Sequence, residues 1–359
     1  MIKYIGSKRA LLGQILAAIG GVLPAGGSVL DLFSGTARVG HALKGAGYRV
    51  VANDHNAYAH TLATCYVQAD AETWAEPARR IIADLNRLPG RPGWFTQTYC
   101  VEARYLHPDN GARVEAMRHA IAALACDPVL ESVLLTALLE AADRVDSTAG
   151  LQMAYMKQWA PRALRPLELR LPAMHPRPAA GACQALCAEA EAAAATVACD
   201  LAYLDPPYHQ HSYLRNYHVW ETLVRWDAPE TYGIARKRLD CRTRISPFNS
   251  KPGIGPALAR TIAALRAPIV LVSFNDEGFL GRPALEAMLA HKPHLRVLEI
   301  PYGRYVGAKI GIHNPKGEKV GTVGRLTNVE YLFLASDHPL ELPATLATTL
   351  ATTPAITLA

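Results

Sequence analysis

The chain has 359 residues, of which 50% are hydrophobic and 19% charged, with a formal net charge of +6. That composition excludes a disordered polymer and fits an ordinary soluble globular enzyme able to bury a full core. Even the most apolar stretch, Ile121–Ala142, is broken by Asp127, Pro128, Glu131 and Glu140, so no membrane span is expected. Met1-Ile2-Lys3-Tyr4 lacks the apolar block of a secretory signal, and the expected address is the cytoplasm.

Seven cysteines (65, 100, 126, 183, 187, 199 and 241) form no C-x-x-C pair. They read as reduced, mostly buried thiols, and no metal is expected. Basic residues gather in three places: Arg162, Arg165, Arg170 and Arg177; Arg236, Lys237, Arg238, Arg242 and Arg244; and Lys309, Lys316, Lys319 and Arg325. Each alone reads as a solvated face. Three together favour a surface that tracks phosphates.

In chain order, Ser28–Phe33 is an apolar run ending in Ser34-Gly35-Thr36-Ala37, followed by a helical pattern carrying Val39, Ala42 and Leu43. Gly47–Ala52 is a second strand, ending at Asn53-Asp54. The two strands and the helix make a βαβ unit of about 30 residues with parallel strands. Residues 65–197 then interrupt the rhythm with helical patterns over Ala71–Leu88, Gly111–Ala125 and Pro128–Val145, followed by proline-rich turns. Further strands are predicted at Asp200–Leu204, Pro268–Ser273, Leu295–Ile300 and Val329–Leu334. The basic, Gly-rich segment Gly303–Gly324 separates the last two as a hairpin or mobile loop, and the Ala/Thr-rich tail 341–359 is expected to be flexible. Strands alternating with helices predict an open α/β sheet, formed by 1–64 and 198–340, with 65–197 as a helical insertion.

The turn Phe33–Ala37 sits where an open α/β sheet binds ligands, at the C-terminal end of a strand. Gly35 lets backbone approach a ligand, Ala37 continues the opening, and the helix N-terminus presents unpaired N–H groups. Asp54 ends the next strand about 20 residues on, where a carboxylate accepts bonds from ribose hydroxyls. The full G-x-G-x-x-G is missing, which disfavours a nicotinamide dinucleotide.

Asp205-Pro206-Pro207-Tyr208 directly follows a strand and is more specific; chance would place it in roughly one chain in several hundred. Its chemistry suits an exocyclic amine conjugated to a ring, a poor nucleophile whose lone pair must localise before it attacks. Asp205 and the carbonyl of Pro206 can accept the two amino hydrogens, and these bonds strengthen as positive charge grows on nitrogen. The prolines fix the backbone, so the carbonyl is aimed in advance. Tyr208 offers an aromatic face for a flipped base or for a sulfonium.

With Lys3-Tyr4-Ile5-Gly6-Ser7-Lys8, Asp31–Ala37, Asp54 and Asp205–Tyr208 in this order, the chain resembles the DNA adenine methylase family. Val272-Ser-Phe-Asn275 and Asn328-Val-Glu-Tyr-Leu332 resemble sheet segments of that family. The resemblance implies a Rossmann-like, mostly parallel twisted sheet of the class I methyltransferase type with an antiparallel strand. It implies S-adenosylmethionine as cofactor, leaving as S-adenosylhomocysteine, with Tyr4, Lys8, Phe33, Gly35, Ala37, Asp54 and Asp205 around it. It further implies methyl transfer to adenine N6 of double-stranded DNA at a specific sequence. Tyr4 stands where Trp is common and Ala37 where a second Gly is common. A cognate restriction endonuclease and a solitary role are both open. In this family the insertion carries target recognition, and Arg144, Lys157, Arg162, Arg165 and Arg238 are the candidate DNA contacts. Tyr155, Gln158 and Trp159 lie in the same stretch. His209, His211 and His218 line the DNA-facing mouth or are surface histidines. Cytosine N4 or RNA adenine as target, a nicotinamide-dependent oxidoreductase and an inactive DNA-binding module are the alternatives, and Asp205 argues for adenine in DNA.

Overall fold

Strands covered on both faces need apolar residues in succession, and the central strands have them: Leu201–Leu204 is buried throughout and Ile269–Asn275 at all but its first residue. The computed structural model describes residues 1–153, 156–303 and 327–340. Tyr155, the segment 304–326 with Lys309, Lys316, Lys319 and Arg325, and the tail 341–359 lie outside the described residues.

The strands are β1 (Ser28–Asp31), β2 (Arg49–Asn53), β3 (Gln184–Leu186), β4 (Leu201–Leu204), β5 (Thr231–Tyr232), β6 (Lys237–Arg238), β7 (Ile269–Asn275), β8 (His294–Gly303) and β9 (Thr327–Ser336). β5 and β6 form a separate hairpin, and the other seven make one sheet in the order β3-β2-β1-β4-β7-β9-β8. β9 is antiparallel to both its neighbours and every other pairing is parallel. This is the expected mostly parallel, class I methyltransferase type of sheet with one reversed strand. The first crossovers run from β1 outward to β3, and the chain then returns to β4 on the other side of β1. A sheet that reverses direction in this way opens a crevice at the C-terminal ends of the two strands concerned. Those ends are Asp31 and Leu204.

The helices are α1 (Leu12–Gly20), α2 (Arg38–Gly45), α3 (Ala57–Ala63), α4 (Ala71–Arg87), α5 (Pro108–Ala123), α6 (Pro128–Arg144), α7 (Ala190–Thr196), α8 (Tyr213–Asn216), α9 (His218–Arg225), α10 (Lys251–Ala264) and α11 (Arg282–Leu289). Successive strand residues point to opposite faces, so each face has its own core. Val29, Val50 and Leu201 join one apolar cluster with α1 to α6 and α9. Leu30, Val51 and Ala202 join the other with α7, α10 and α11. The predicted helices of the insertion form close to their expected bounds. Pro128 starts α6 at the first turn, where its missing N–H costs nothing, and Asp127 caps it by accepting from Val129 N at 2.8 Å.

Two expectations are corrected. Gln184–Leu186 pairs in parallel with β2, and α7 packs on the second face, so residues 184–197 belong to the sheet rather than to the insertion. A three-residue edge strand in an Ala-rich stretch carries no period to read. His218 is fully buried, its Nε2 bonded to Gln152 O at 2.9 Å, and it stands neither at a mouth nor on the surface.

The helical block is tied to the sheet layer by a buried cation. Lys44, in the last turn of α2, donates to Ala69 O at 2.7 Å and to Asp70 Oδ1 at 2.9 Å, with its side chain out of solvent. Removing one member of a buried pair leaves the other uncompensated. Lys44→Ala is expected to lower stability by about 3 kcal/mol in urea unfolding, whereas Arg79→Ala, which breaks an exposed pair with Glu76, leaves the midpoint unmoved. Equal midpoints for Lys44→Ala and wild type would contradict the bracing role.

Candidate active site

The turn after β1 is built by backbone bonds that reach across strands. Leu32 N donates to Tyr203 O at 3.0 Å and Ser34 N to Asn53 O at 2.9 Å, which joins the ends of β1, β2 and β4. Gly35 and Ala37 both take left-handed conformations, with φ of 52° and 59°. Gly35 does so freely, whereas Ala37 bears a steric cost that a glycine there would avoid. A side chain at Gly35 would also meet the Tyr4 ring, since an added Cβ would lie 3.2 Å from it.

Asp54 faces this turn. Its carboxylate accepts from Gly35 N at 3.1 Å and from Asn56 N and Nδ2 at 2.9 and 3.1 Å. Burial raises its pKa above the ordinary carboxylate value, against the pull of His55 and of these bonds. Asn53 bridges outward: its Nδ2 donates to Leu32 O and Ala188 O, both at 3.1 Å, and its Oδ1 accepts from Ala188 N. The loop after β3 is thereby drawn into the site.

One cleft connects these groups to the turn Asp205–Tyr208. Its lining includes Tyr4, Lys8, Phe33, Gly35, Asp54, Asp205, Pro207, Tyr213 and Phe248. Sequence reasoning had singled out six of these as cofactor contacts, and the fold brings all six together. Ala37 is buried and shapes the turn without lining the cleft. Pro206 is buried, and Tyr208 packs against Phe274 at 5.3 Å between ring centroids, with the Lys8 ammonium 5.5 Å from its own ring centre. Asn249 Nδ2 donates to the carbonyls of His209 and His211 at 2.9 and 3.1 Å, which holds the chain leaving the tetrapeptide.

The N-terminal segment closes over the cleft. Tyr4 is stacked between Tyr213 and Tyr217, at 4.9 and 4.7 Å between ring centroids, and its hydroxyl meets that of Tyr58 at 3.0 Å. Lys8, 6% exposed, lies 3.0 Å from Asp205 Oδ1 and donates to Glu330 Oε1 at 2.6 Å. Burial alone would weaken this ammonium, but Asp205 and Glu330 hold its pKa well above the ordinary lysine value. Burial pushes the Asp205 carboxyl up to about 6, against Lys8 and with the repulsion of Glu330. Asp31, at the end of β1, is pushed up to about 7 by burial, despite accepting from Gly40 N at 3.0 Å.

The cleft fits a polar ligand with an aromatic part. Ser34 Oγ, Asn56 Oδ1 and Tyr203 Oη are buried with no hydrogen-bond partner among the described residues, and all three residues line it. Buried polar atoms left open in this way suit a ligand that supplies the missing bonds. Phe33 and Phe248 meet edge to face at 5.0 Å and make an apolar corner of the cleft. Phe248, Tyr213, Asp31 and Glu330 escaped sequence reasoning as site residues. Of these only Asp31, inside the recognised loop, and Glu330, inside Asn328–Leu332, lay in segments that had been noticed.

The candidate DNA contacts divide. Arg238 is 2% exposed and bonded through both terminal nitrogens to Asp227, at 2.6 and 2.7 Å, so it braces the β5–β6 hairpin and does not face a partner. Arg244 in the same basic cluster is also turned inward, onto Glu221 at 3.0 Å and His55 O at 3.2 Å. Arg162 bonds to Asp146 at 2.8 Å and to Thr148 O, and Arg144 to Glu168 O at 2.6 Å. Lys157 and Arg165 are exposed. Among the described residues no three His, Cys, Asp or Glu side chains are grouped to hold a metal ion, and no helix is long and apolar enough to cross a membrane.

Residues 4–248 match the family described as D12 class N6 adenine-specific DNA methyltransferase. The chain is 28% identical to the Type II methyltransferase M.NlaIII of Neisseria lactamica, over 88% of this chain and 96% of that protein. It is also 28% identical to the Type II methyltransferase M.FokI of Planomicrobium okeanokoites, over 85% of this chain and 50% of the relative. The modification methylase LlaI of Lactococcus lactis subsp. lactis is 27% identical over 78% of this chain, which spans 47% of that relative. The match to the family takes in Tyr4–Lys8, the turn after β1, Asp54 and Asp205–Tyr208 alike, and the chain belongs to the D12 class of N6 adenine-specific DNA methyltransferases.

Proposed function

We propose that the chain transfers the methyl group of S-adenosylmethionine to the N6 amino group of an adenine rotated out of duplex DNA at a specific sequence. The observation that carries this reading is that Asp54 and Asp205 line one cleft. An acid suited to ribose hydroxyls and an acid suited to an amino group are there joined by a continuous wall. Asp54 would hold the ribose, Phe33 and Phe248 the adenine ring of the cofactor, and Gly35 and the turn around it the amino-acid end, beneath Tyr4. When bound, S-adenosylmethionine supplies a methyl group made electrophilic by its sulfonium.

The chain's own residues prepare the amine. Asp205 accepts one amino hydrogen and the Pro206 carbonyl the other, so charge growing on nitrogen meets two acceptors already in place. Tyr208 gives the extruded base a face to stack on. The proton lost from nitrogen leaves to Asp205 or to water. Lys157 and Arg165 are the exposed cations of the earlier candidate set suited to phosphate contact. The relatives named Type II methyltransferases and modification methylases support a modifying role beside a cognate restriction endonuclease.

Asp205→Asn keeps the shape but loses the anionic acceptor. It is expected to cut kcat by about 10²–10³ while S-adenosylhomocysteine still raises Tm. Labelled-methyl incorporation into plasmid DNA and thermal shift measure the two effects, and unimpaired transfer refutes the role of Asp205. Only the ionised carboxylate accepts, so the rate is expected to fall as pH drops through about 6, the value to which burial lifts Asp205. A rate that is flat across that range removes Asp205 from the chemistry.

A further inference from the structure

Two carboxylates compete for one buried ammonium beside the catalytic turn. Lys8 Nζ stands 2.6 Å from Glu330 and 3.0 Å from Asp205, so the shorter bond is to the carboxylate that does not belong to the tetrapeptide. Glu330 is 1% exposed and lies on β9 opposite Asn275 of β7. Its Oε1 accepts from Ser273 Oγ as well as from Lys8, so both donors fix the same oxygen. A carboxylate held in this way is rigid, and the chain up to the end of β9 is committed to placing it.

The consequence falls on Asp205. An ammonium bonded to Asp205 alone would occupy the oxygen that the target amine needs and draw off its charge. We propose that Glu330 is a positioning residue for methyl transfer: it holds the Lys8 ammonium by the shorter bond, so that Asp205 shares this cation with a second carboxylate instead of pairing with it alone and remains an electron-rich acceptor. This rests on the reading of Asp205 as the acceptor of the target amino group. Lys8 then serves two ends. It keeps a pair of buried carboxylates from repelling each other, and it yields Asp205 to the incoming base without itself losing a partner.

The groups facing this trio from the packed elements are Tyr203 on β4, Tyr208 of the tetrapeptide, Tyr213 on α8 and, at the end of β1, Asp31. The tyrosines are all held neutral by burial, which raises their pKa values. Asp31 is the one further carboxyl among these, and the charge of Asp205 adds to burial in raising its pKa. The direction follows: Glu330 raises the pKa of Asp205 and Lys8 lowers it. Removing the charge of Glu330 therefore makes Asp205 a weaker base.

The test compares wild type, Glu330→Gln and Glu330→Asp in labelled-methyl transfer to plasmid DNA over the acid range. Glu330→Gln is expected to lower kcat on the order of tenfold, with KM for DNA and affinity for S-adenosylhomocysteine unchanged. Its acid limb moves to lower pH. A readout without turnover comes from infrared titration of the unliganded protein. The carboxylic acid C=O band that is absent from Asp205→Asn should titrate at lower pH in Glu330→Gln. Glu330→Asp withdraws the carboxylate from Lys8 and leaves the ammonium to Asp205, so kcat falls and the limb moves the same way by a smaller amount; this variant carries the test if the glutamine variant does not fold. A limb and band that stay put in folded Glu330→Gln, or a loss residing wholly in KM, overturns the proposal. Wild-type protein that transfers no methyl group to DNA overturns the proposed function, and this inference with it.

Discussion

Burying the Lys8 ammonium is the constraint around which the site is arranged. A lone ammonium away from water is costly, and only charged partners with good geometry make it tolerable. Those partners come from distant parts of the chain: Asp205 follows β4, and Glu330 lies 322 residues beyond Lys8. The first residues of the chain are therefore locked to the centre of the sheet. Once they are there, Tyr4 falls between Tyr213 and Tyr217, and the turn below it must carry glycine at position 35. One ion-paired lysine thus decides where the roof of the cleft sits and what can stand beneath it.

The remaining polar side chains mostly serve the same end of holding the site's walls. Asn53 ties the β1 turn to the loop after β3. Lys3 donates to Asp143 O at 2.6 Å and to Asp146 at 2.7 Å, so the segment around Asp143–Thr148 anchors the roof to α6. Asp146 also takes Arg162. Arg144, Arg162, Arg238 and Arg244, which look from sequence like contacts for nucleic acid, are here spent on internal bonds. Local charge density in a sequence does not distinguish an arginine that faces solvent from one that closes a buried acid pair.

Most of the fold was legible. The strands up to Asp54 and after Asp200 are apolar runs bounded by turn residues, and α5 and α6 start at Pro108 and Pro128 behind the caps His107 and Asp127. β3 was not legible, because three residues at a sheet edge have too little sequence to show alternation. Nor was the extent of the insertion, whose helices share one apolar core with the sheet instead of forming a core of their own. Arg238 was misjudged for the reason given above: its partner Asp227 lies 11 residues away, across a hairpin that only the folded chain closes.

The sequence by itself determined the two motifs on which the proposed chemistry rests. Asp205-Pro-Pro-Tyr208 after a strand, and Asp54 after another, carry the proposed acceptor, its rigid backing and the proposed acid at the far end, because such roles rest on residue type and immediate neighbours. Only the tertiary structure decided which other groups share that space. Phe248 lines the cleft and Glu330 reaches Lys8 beside it only because the folded chain brings distant segments together, and no local pattern records either placement. The balance of Lys8 between two carboxylates depends on distances of a few tenths of an ångström. Electrostatic strength in a buried site is set by separation and by the exclusion of water, and both are properties of the packed molecule.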